Sequence, residues 1–221
     1  MLSTAKFECP ADLLQQARQT LPVRMAVVGA TDELSMESAR RACEQGLIEP
    51  VLVGDEKIIL GLAKTIGWDV TGVRIINTGD EAESAAVSTS LAREREVGAL
   101  MKGHVHTDTL MRAVINPQTG LRTQRRVSHA FYMTVPQRKG SLVITDAAVN
   151  VAPDADQLMD ILGNAVQMVH ALGNAQPRVA VLSATEQPSA AMPSSLVAEE
   201  IANRARKTVD GAFVEGSMAF D

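Results

Sequence analysis

The sequence predicts an α/β protein built on a mostly parallel sheet with helices on both faces, and three observations carry that expectation. Short apolar runs at residues 23–28, 50–54, 73–76 and 97–101 alternate with helical patterns through brief connections, and strand, helix, strand in succession is how parallel neighbours are joined. A Pro/Gly interruption, Asn116-Pro117-Gln118-Thr119-Gly120, then breaks a helix, and beyond it the pattern changes to the alternation Val127, His129, Phe131, Met133, Val135. The 221 residues, 46% hydrophobic and 21% charged, contain enough apolar material for one large or two small cores. A domain boundary is placed at Arg122, giving a first α/β domain at 1–122 and a second at 123–221.

Taken in order, residues 11–20 have helical character and Val23–Val28 reads as a strand ending in the turn Gly29-Ala30-Thr31-Asp32. That turn lies where ligands bind in α/β sheets, but it carries neither G-x-G-x-x-G nor the P-loop pattern, so it reads as structural. Ser35 is expected to cap a helix burying Met36, Ala39, Ala42 and Cys43, with Gly46 ending it before the strand at 50–54. Asp55 starts a helix through Ile58, Ile59 and Leu62. A strand at 73–76 and a helix from Asp80 to Glu96 lead to the strand at 97–101. In the second half, 127–135 and 141–145 read as strands about a turn at 136–140. Asp156 is expected to cap an amphipathic helix through Leu158, Ile161, Leu162, Ala165, Met168, Val169 and Leu172. A strand at 179–182, a Pro/Ser-rich loop, a helix begun by Ser194 or Ser195 and a strand at 212–214 complete the chain.

Composition excludes several functions. Aromatic residues are only 3% and the formal net charge is -5, which argues against base stacking and against general binding to a phosphate backbone, so nucleic acid is not an expected partner. Cys9 and Cys43 form no C-x-x-C and predict neither a disulfide framework nor a zinc site, which suits a reducing cytoplasm. The N-terminus lacks a basic region followed by an apolar core, and no apolar run approaches the roughly 20 residues of a membrane span, so neither secretion nor membrane attachment is expected.

The chemistry concentrates between Val97 and His129. A buried-looking strand runs out at Lys102-Gly103 and a helix begins near Thr107, which places a lysine and backbone N–H groups at one strand end, an arrangement suited to an anion. Thr107 is the expected N-cap, Asp108 suits the first turn, and Leu110, Met111, Val114 and Ile115 form an apolar face. Lys102, Arg112, Arg122, Arg125, Arg126, Arg138 and Lys139 face the single acid Asp108 within an acidic chain, a local cationic segment that points to an anionic small molecule. Ordinary structure accounts for parts of this: capping explains a threonine, and arginine clusters are commonly solvated surface. His104 and His106, without Cys, Asp or Glu at ligand spacing, read as packed or hydrogen-bonded side chains and not as metal ligands.

Lys102-Gly103-His104-Val105-His106-Thr107-Asp108, followed by Arg112-Ala113-Val114, resembles the K-G-x-x-H-T-x-x-x-x-R-A-V segment of the phosphate acetyltransferase and phosphate butyryltransferase family. Arg122-Thr-Gln-Arg125-Arg126-Val-Ser128-His129, Asp146-Ala-Ala-Val-Asn150-Val-Ala-Pro153-Asp154 and Glu215-Gly216-Ser-Met-Ala219-Phe220-Asp221 are similar to later blocks of that family in the same order. The resemblance implies a two-domain fold of the isocitrate/isopropylmalate dehydrogenase type, with mostly parallel three-layer α/β/α sheets and a substrate cleft between the domains. It implies reversible transfer of an acetyl or butyryl group between acyl-CoA and inorganic phosphate, giving acyl phosphate and CoA. Coenzyme A and acyl-CoA enter as substrates, with no permanently bound cofactor and no metal, and the family suggests a homodimer.

By motif position, Thr107 and Arg112 correspond to the family's hydroxyl and arginine near the acyl-phosphate site, with Lys102, Gly103 and Arg126 as further phosphate contacts. A guanidinium grips phosphate through a bidentate fork and a hydroxyl adds a donor. The family's late Ser-Arg pair and Asp have no counterpart before residue 221. The resemblance therefore implies that the first domain lacks its returning elements, that the catalytic residues are unassigned, and that the 221-residue chain alone is nearly inactive. If it does turn over, Asp146, Asp154 and His129 are the residues to test as base. Two alternatives remain: a dehydrogenase of the same broad fold, and a catalytically dead acyl-CoA-binding or oligomerising module.

Overall fold

The computed structural model describes residues 9–135 and 140–220, and the chain divides into two compact units, Met1–Thr123 and Gln124–Asp221. Most of the turn expected at 136–140, with Arg138 and Lys139, lies outside the described residues, as do the first eight residues and Asp221.

The first unit opens with α1 (Ala11–Ala17) and continues through β1 (Val23–Val28), α2 (Glu33–Glu44), β2 (Ile48–Gly54), α3 (Glu56–Thr65), β3 (Arg74–Asn77), α4 (Glu81–Arg93), β4 (Ala99–Lys102) and α5 (Thr107–Val114). Its four strands form a parallel sheet in the order β3-β2-β1-β4. The chain builds outward from β1 to β3, then returns across the sheet through α4 to place β4 on the other side of β1. The order therefore reverses between β1 and β4, and crevices at the carboxyl ends of such strands are where open α/β sheets bind ligands.

Strand periodicity decides which helix covers which face. Val27 and Leu52 pack with Met36 and Ala39 of α2 and Ile59 and Ala63 of α3. Their neighbours in sequence, Ala26, Val51 and Val53, pack on the opposite face with Leu91 of α4 and Val97. Val27, Leu52, Met36 and Ile59 are fully buried, each removal from water contributing roughly 1.5–3 kcal/mol before entropy is counted. Three layers follow because strands buried on both faces read as continuous apolar runs.

The second unit comprises β5 (Ala130–Thr134), β6 (Ser141–Thr145), α6 (Ala155–Ala171), β7 (Arg178–Leu182), α7 (Pro193–Thr208) and β8 (Phe213–Met218). β5 and β6 pair antiparallel, whereas β7 and β8 pair parallel. Leu162 and Val166 of α6 and Ile201, Ala202 and Ala205 of α7 pack with Val214 of β8 as its core. The alternation through β5 exists, but its apolar set does not turn inward. Phe131, Met133, Leu142 and Ile144 are exposed, and Phe131 pairs with Ile144 and Met133 with Leu142 on the hairpin. The half-buried set is instead Ala130, Tyr132, Val143 and Thr145. Among the described residues no helix is long and apolar enough to cross a membrane.

The helix starts correct several expectations. Asp32, not Ser35, caps α2: its Oδ1 accepts from the Ser35 amide at 3.0 Å, while the Ser35 hydroxyl donates to Oδ2 at 2.6 Å. Asp154, not Asp156, caps α6 in a reciprocal capping box with Gln157, leaving Asp156 to pair with Arg204 at 2.6 Å. In α7, Pro193 takes the first helical position, and the expected cap Ser195 is buried inside the first turn, donating to the Met192 carbonyl at 2.6 Å. In each helix the side chain expected as cap already lies inside the helix.

Candidate functional site

At the carboxyl ends of β1 and β4 the parallel pairing continues past the strands. Val28 pairs with Lys102, the Gly103 amide donates to the Val28 carbonyl at 2.9 Å, and the His104 amide donates to the Gly29 carbonyl at 2.8 Å. Both glycines are required by this approach. A Cβ on Gly29, where φ is +68°, would lie 2.6 Å from the His104 oxygen, and one on Gly103 would lie 2.5 Å from the Gly29 oxygen. The two loops are thus locked backbone against backbone, and α5 leaves from a fixed point.

That departure differs from the expected one. His106 is the N-cap of α5 and Thr107 is its first helical residue, because His106 keeps an extended backbone (φ -65°, ψ 140°) while Thr107 has already turned. His106 makes no side-chain capping bond, so the cap side chain supplies nothing to the first-turn N–H groups, and these are the groups that favour an anion. Thr107 is exposed there. Lys102, at the end of β4, is also exposed, and its Nζ donates to the neighbouring Gly103 carbonyl at 3.4 Å. Arg112 turns back one helical turn to Asp108, Nη2 to Oδ2 3.0 Å, with both side chains more than two-thirds exposed. Lys102, Gly103, Thr107 and Arg112 therefore share one strand-loop-helix segment.

Two acids just outside that segment shape its charge. Glu81, the first residue of α4, accepts from the His106 amide at 2.9 Å, and its Oε2 lies 2.8 Å from His106 Nδ1. Those amide and ring bonds hold Glu81 below the usual carboxylate range, and Glu81 in turn raises His106. At Asp32 burial pushes the carboxyl up, but the Ser35 hydroxyl and amide, assisted by His104, outweigh it and leave the group lowered.

Arg126 belongs to the second unit, in a separate network. Its Nε donates to Asn150 Oδ1 at 2.7 Å, its amide donates to Asp160 Oδ2 at 2.9 Å, and its carbonyl accepts from Asn164 Nδ2 at 2.9 Å. Asn150 donates from its amide and from Nδ2 to Asp146 Oδ2 at 2.7 and 2.6 Å, and the His129 amide donates to Asp146 Oδ1 at 2.7 Å. Burial pushes Asp146 up, yet these donors leave it lowered. An Asp whose oxygens are occupied in this way is a weak base, and Asp154 is committed to its capping box. His129 stands on Phe131 edge to face at 4.4 Å, and its buried Nδ1 has no hydrogen-bond partner among the described residues. The described hydrogen-bond partner of the Arg126 side chain is the neutral amide of Asn150.

The structure thus brings four of the five predicted residues onto one segment and places Arg126 in the other unit. Glu81, Asp160 and Asn164 were not anticipated. The only sequence signal for Glu81 is the acidic pair Asp80-Glu81 at a helix start, which reads as ordinary dipole compensation. Among the described residues no group of three or more His, Cys, Asp or Glu side chains is placed to hold a metal ion.

Comparison with known proteins places the same segments in a family setting. Residues 80–221 match the family model described as phosphate acetyl/butaryl transferase. The phosphate acetyltransferase of Rickettsia felis is 42% identical over 212 residues, covering 95% of this chain and 61% of that protein. The phosphate butyryltransferase of Clostridium acetobutylicum is 32% identical over 211 residues, covering 95% of this chain and 70% of its own length. Among solved structures, a phosphotransacetylase from Streptococcus pyogenes superposes with a TM-score of 0.83 at 19% identity, over 97% of this chain and 74% of that one, a likeness of fold.

Proposed function

We propose, since this chain belongs to the phosphate acetyl/butyryl transferase family, that its residues serve reversible acyl transfer between acyl-CoA and inorganic phosphate. The observation that carries the reading is the exposed start of α5. The β1 and β4 loops fix it, its cap residue His106 makes no side-chain capping bond, and Arg112 reaches back from the last turn to the exposed Asp108. In this reading Arg112 and the Thr107 hydroxyl hold the phosphate, Lys102 adds charge and Gly103 permits close backbone approach, while Arg126, within the second unit, is taken by itself as a further candidate for a phosphate contact. A phosphate oxygen attacks the thioester carbonyl carbon, the carbon–sulfur bond breaks from the tetrahedral intermediate, and the CoA thiolate leaves and takes up a proton. Acyl phosphate is the other product. Cations pay part of the cost of bringing two anionic substrates together, which is why positioning and electrostatics carry such a reaction.

We further read residues 1–122 and 123–221 as the two domains of an isocitrate/isopropylmalate dehydrogenase-like fold. The protein is assigned to the cytoplasm as a homodimer, with acyl-CoA, phosphate and acyl phosphate as its small-molecule partners. Light scattering across micromolar concentrations tests the dimer, and a monomer mass refutes it. The decisive experiment for function measures phosphate-dependent CoA release from acetyl-CoA and from butyryl-CoA, beside calorimetry with CoA and with phosphate. Release that requires phosphate supports the transferase. Binding of CoA without release favours the acyl-CoA-binding module, and neither binding nor release rejects the assignment.

A further inference from the structure

We propose that Glu81, which lies outside the β4–α5 segment, is a positioning residue for the anion-binding start of α5 and acts through His106. The proposal rests on the reading that Thr107 and Arg112 hold phosphate. Glu81 opens α4, and one carboxylate of this separate helix takes both the backbone N–H of His106 at 2.9 Å and its ring Nδ1 at 2.8 Å. His106 is the N-cap of α5 yet gives its own helix no side-chain bond. The point at which the chain enters α5 is therefore tied from α4, one residue before Thr107.

The two bonds respond differently to protons. The backbone bond persists at any pH that leaves Glu81 ionised, whereas the ring bond is charge-assisted only while the imidazole is protonated. The groups facing His106 are Glu81, Asp108 and Lys102, and Glu81 also faces His104. Glu81 and Asp108 favour the imidazolium while Lys102 opposes it, and the balance lets His106 keep its proton to higher pH than a free histidine. An imidazolium beside Thr107 adds positive charge where phosphate would approach. Its loss removes that charge and leaves Glu81 uncompensated. Phosphate affinity is expected to fall as pH rises through the titration of His106, with the ligand's own titration common to every variant compared.

The test is calorimetry with inorganic phosphate from about pH 6 to about pH 8.5, with the His106 ring followed by NMR over the same range. Glu81→Ala, which removes both bonds to His106, is expected to weaken phosphate binding about tenfold, a loss no larger than that of a single bond to a charged group because it acts through His106. Glu81→Gln keeps an acceptor for the His106 amide. It is expected to recover most of that affinity while moving both the His106 titration and the affinity inflection to lower pH. Affinity and pH profile unchanged in Glu81→Ala overturn the proposal, as do equal losses in both variants with an unmoved His106 titration. If Glu81→Ala fails to fold, the displaced inflection in Glu81→Gln decides alone. Wild-type protein that binds no phosphate overturns the proposal together with the functional reading, whereas wild-type binding with indifferent variants overturns the proposal only.

Discussion

Removing the Arg112 guanidinium separates function from stability, because the structure makes its contribution to folding small. Its ion partner is Asp108, one turn earlier on α5, and the two side chains are 77% and 71% exposed. An exposed i,i+4 pair of this kind stabilises a helix by roughly 0.3 kcal/mol, so Arg112→Ala is expected to shift thermal unfolding by no more than about 2 °C. A bidentate guanidinium–phosphate contact is charge-assisted, and its loss is expected to raise the phosphate KM of an intact enzyme, or lower its kcat, at least about tenfold, or about 1.4 kcal/mol. The partner gives the opposite sign. Asp108→Asn frees Arg112 from a competing carboxylate and is expected to tighten phosphate roughly twofold, the equivalent of the same weak pair. The assays are calorimetry with phosphate, phosphate-dependent CoA release and a thermal melt. A melt lowered as much as function would refute the reasoning, because Arg112 would then be structural. Unaltered phosphate binding in Arg112→Ala would refute its assignment to the site.

Gly103→Ala would bring a Cβ to 2.5 Å from the Gly29 oxygen and 2.8 Å from the Val28 oxygen, both backbone. It is expected to destabilise the first unit by about 1–3 kcal/mol, the cost of overpacking, read in a urea melt. Asp32→Ala removes the α2 cap and is expected to cost about 1 kcal/mol at neutral pH. Since the folded-state pKa of Asp32 is lowered, its stabilisation is present above the unfolded value and is lost as pH falls through the folded one, so the wild-type advantage over Asp32→Ala should shrink on acidification below about pH 4. Ile201→Ala, at a fully buried site in the second unit, is expected to cost about 2–5 kcal/mol, measured by denaturant unfolding.

The strands of the first unit were legible because they are buried on both faces, and a run such as Met25-Ala26-Val27-Val28 has few other solutions once Gly29 ends it. Caps were less legible. Asp32 and Ser35 both suit an N-cap, as do Asp154 and Asp156, and only the backbone shows which one remains extended. The hairpin was legible only in part. Alternation states that two faces differ, but Ala130, Tyr132, Val143 and Thr145 pack well enough to take the inner face, so Phe131 and Met133 turn outward.

The candidate site shows the same division. Lys102, Gly103, Thr107 and Arg112 are close in sequence, so a linear motif was able to reveal them. Glu81 lies 25 residues from His106, and its bond depends on α4 and α5 starting side by side, a fact of topology. The reversal of strand order between β1 and β4 produces that neighbourhood. It sends β4 to the far side of β1, brings the Gly29 and Gly103 loops into backbone contact, and sets the departure point of α5 within reach of α4. A sequence motif names the groups that can meet an anion. The crossover decides which other charges surround them, and an acid such as Glu81 becomes visible only when the strand order is known.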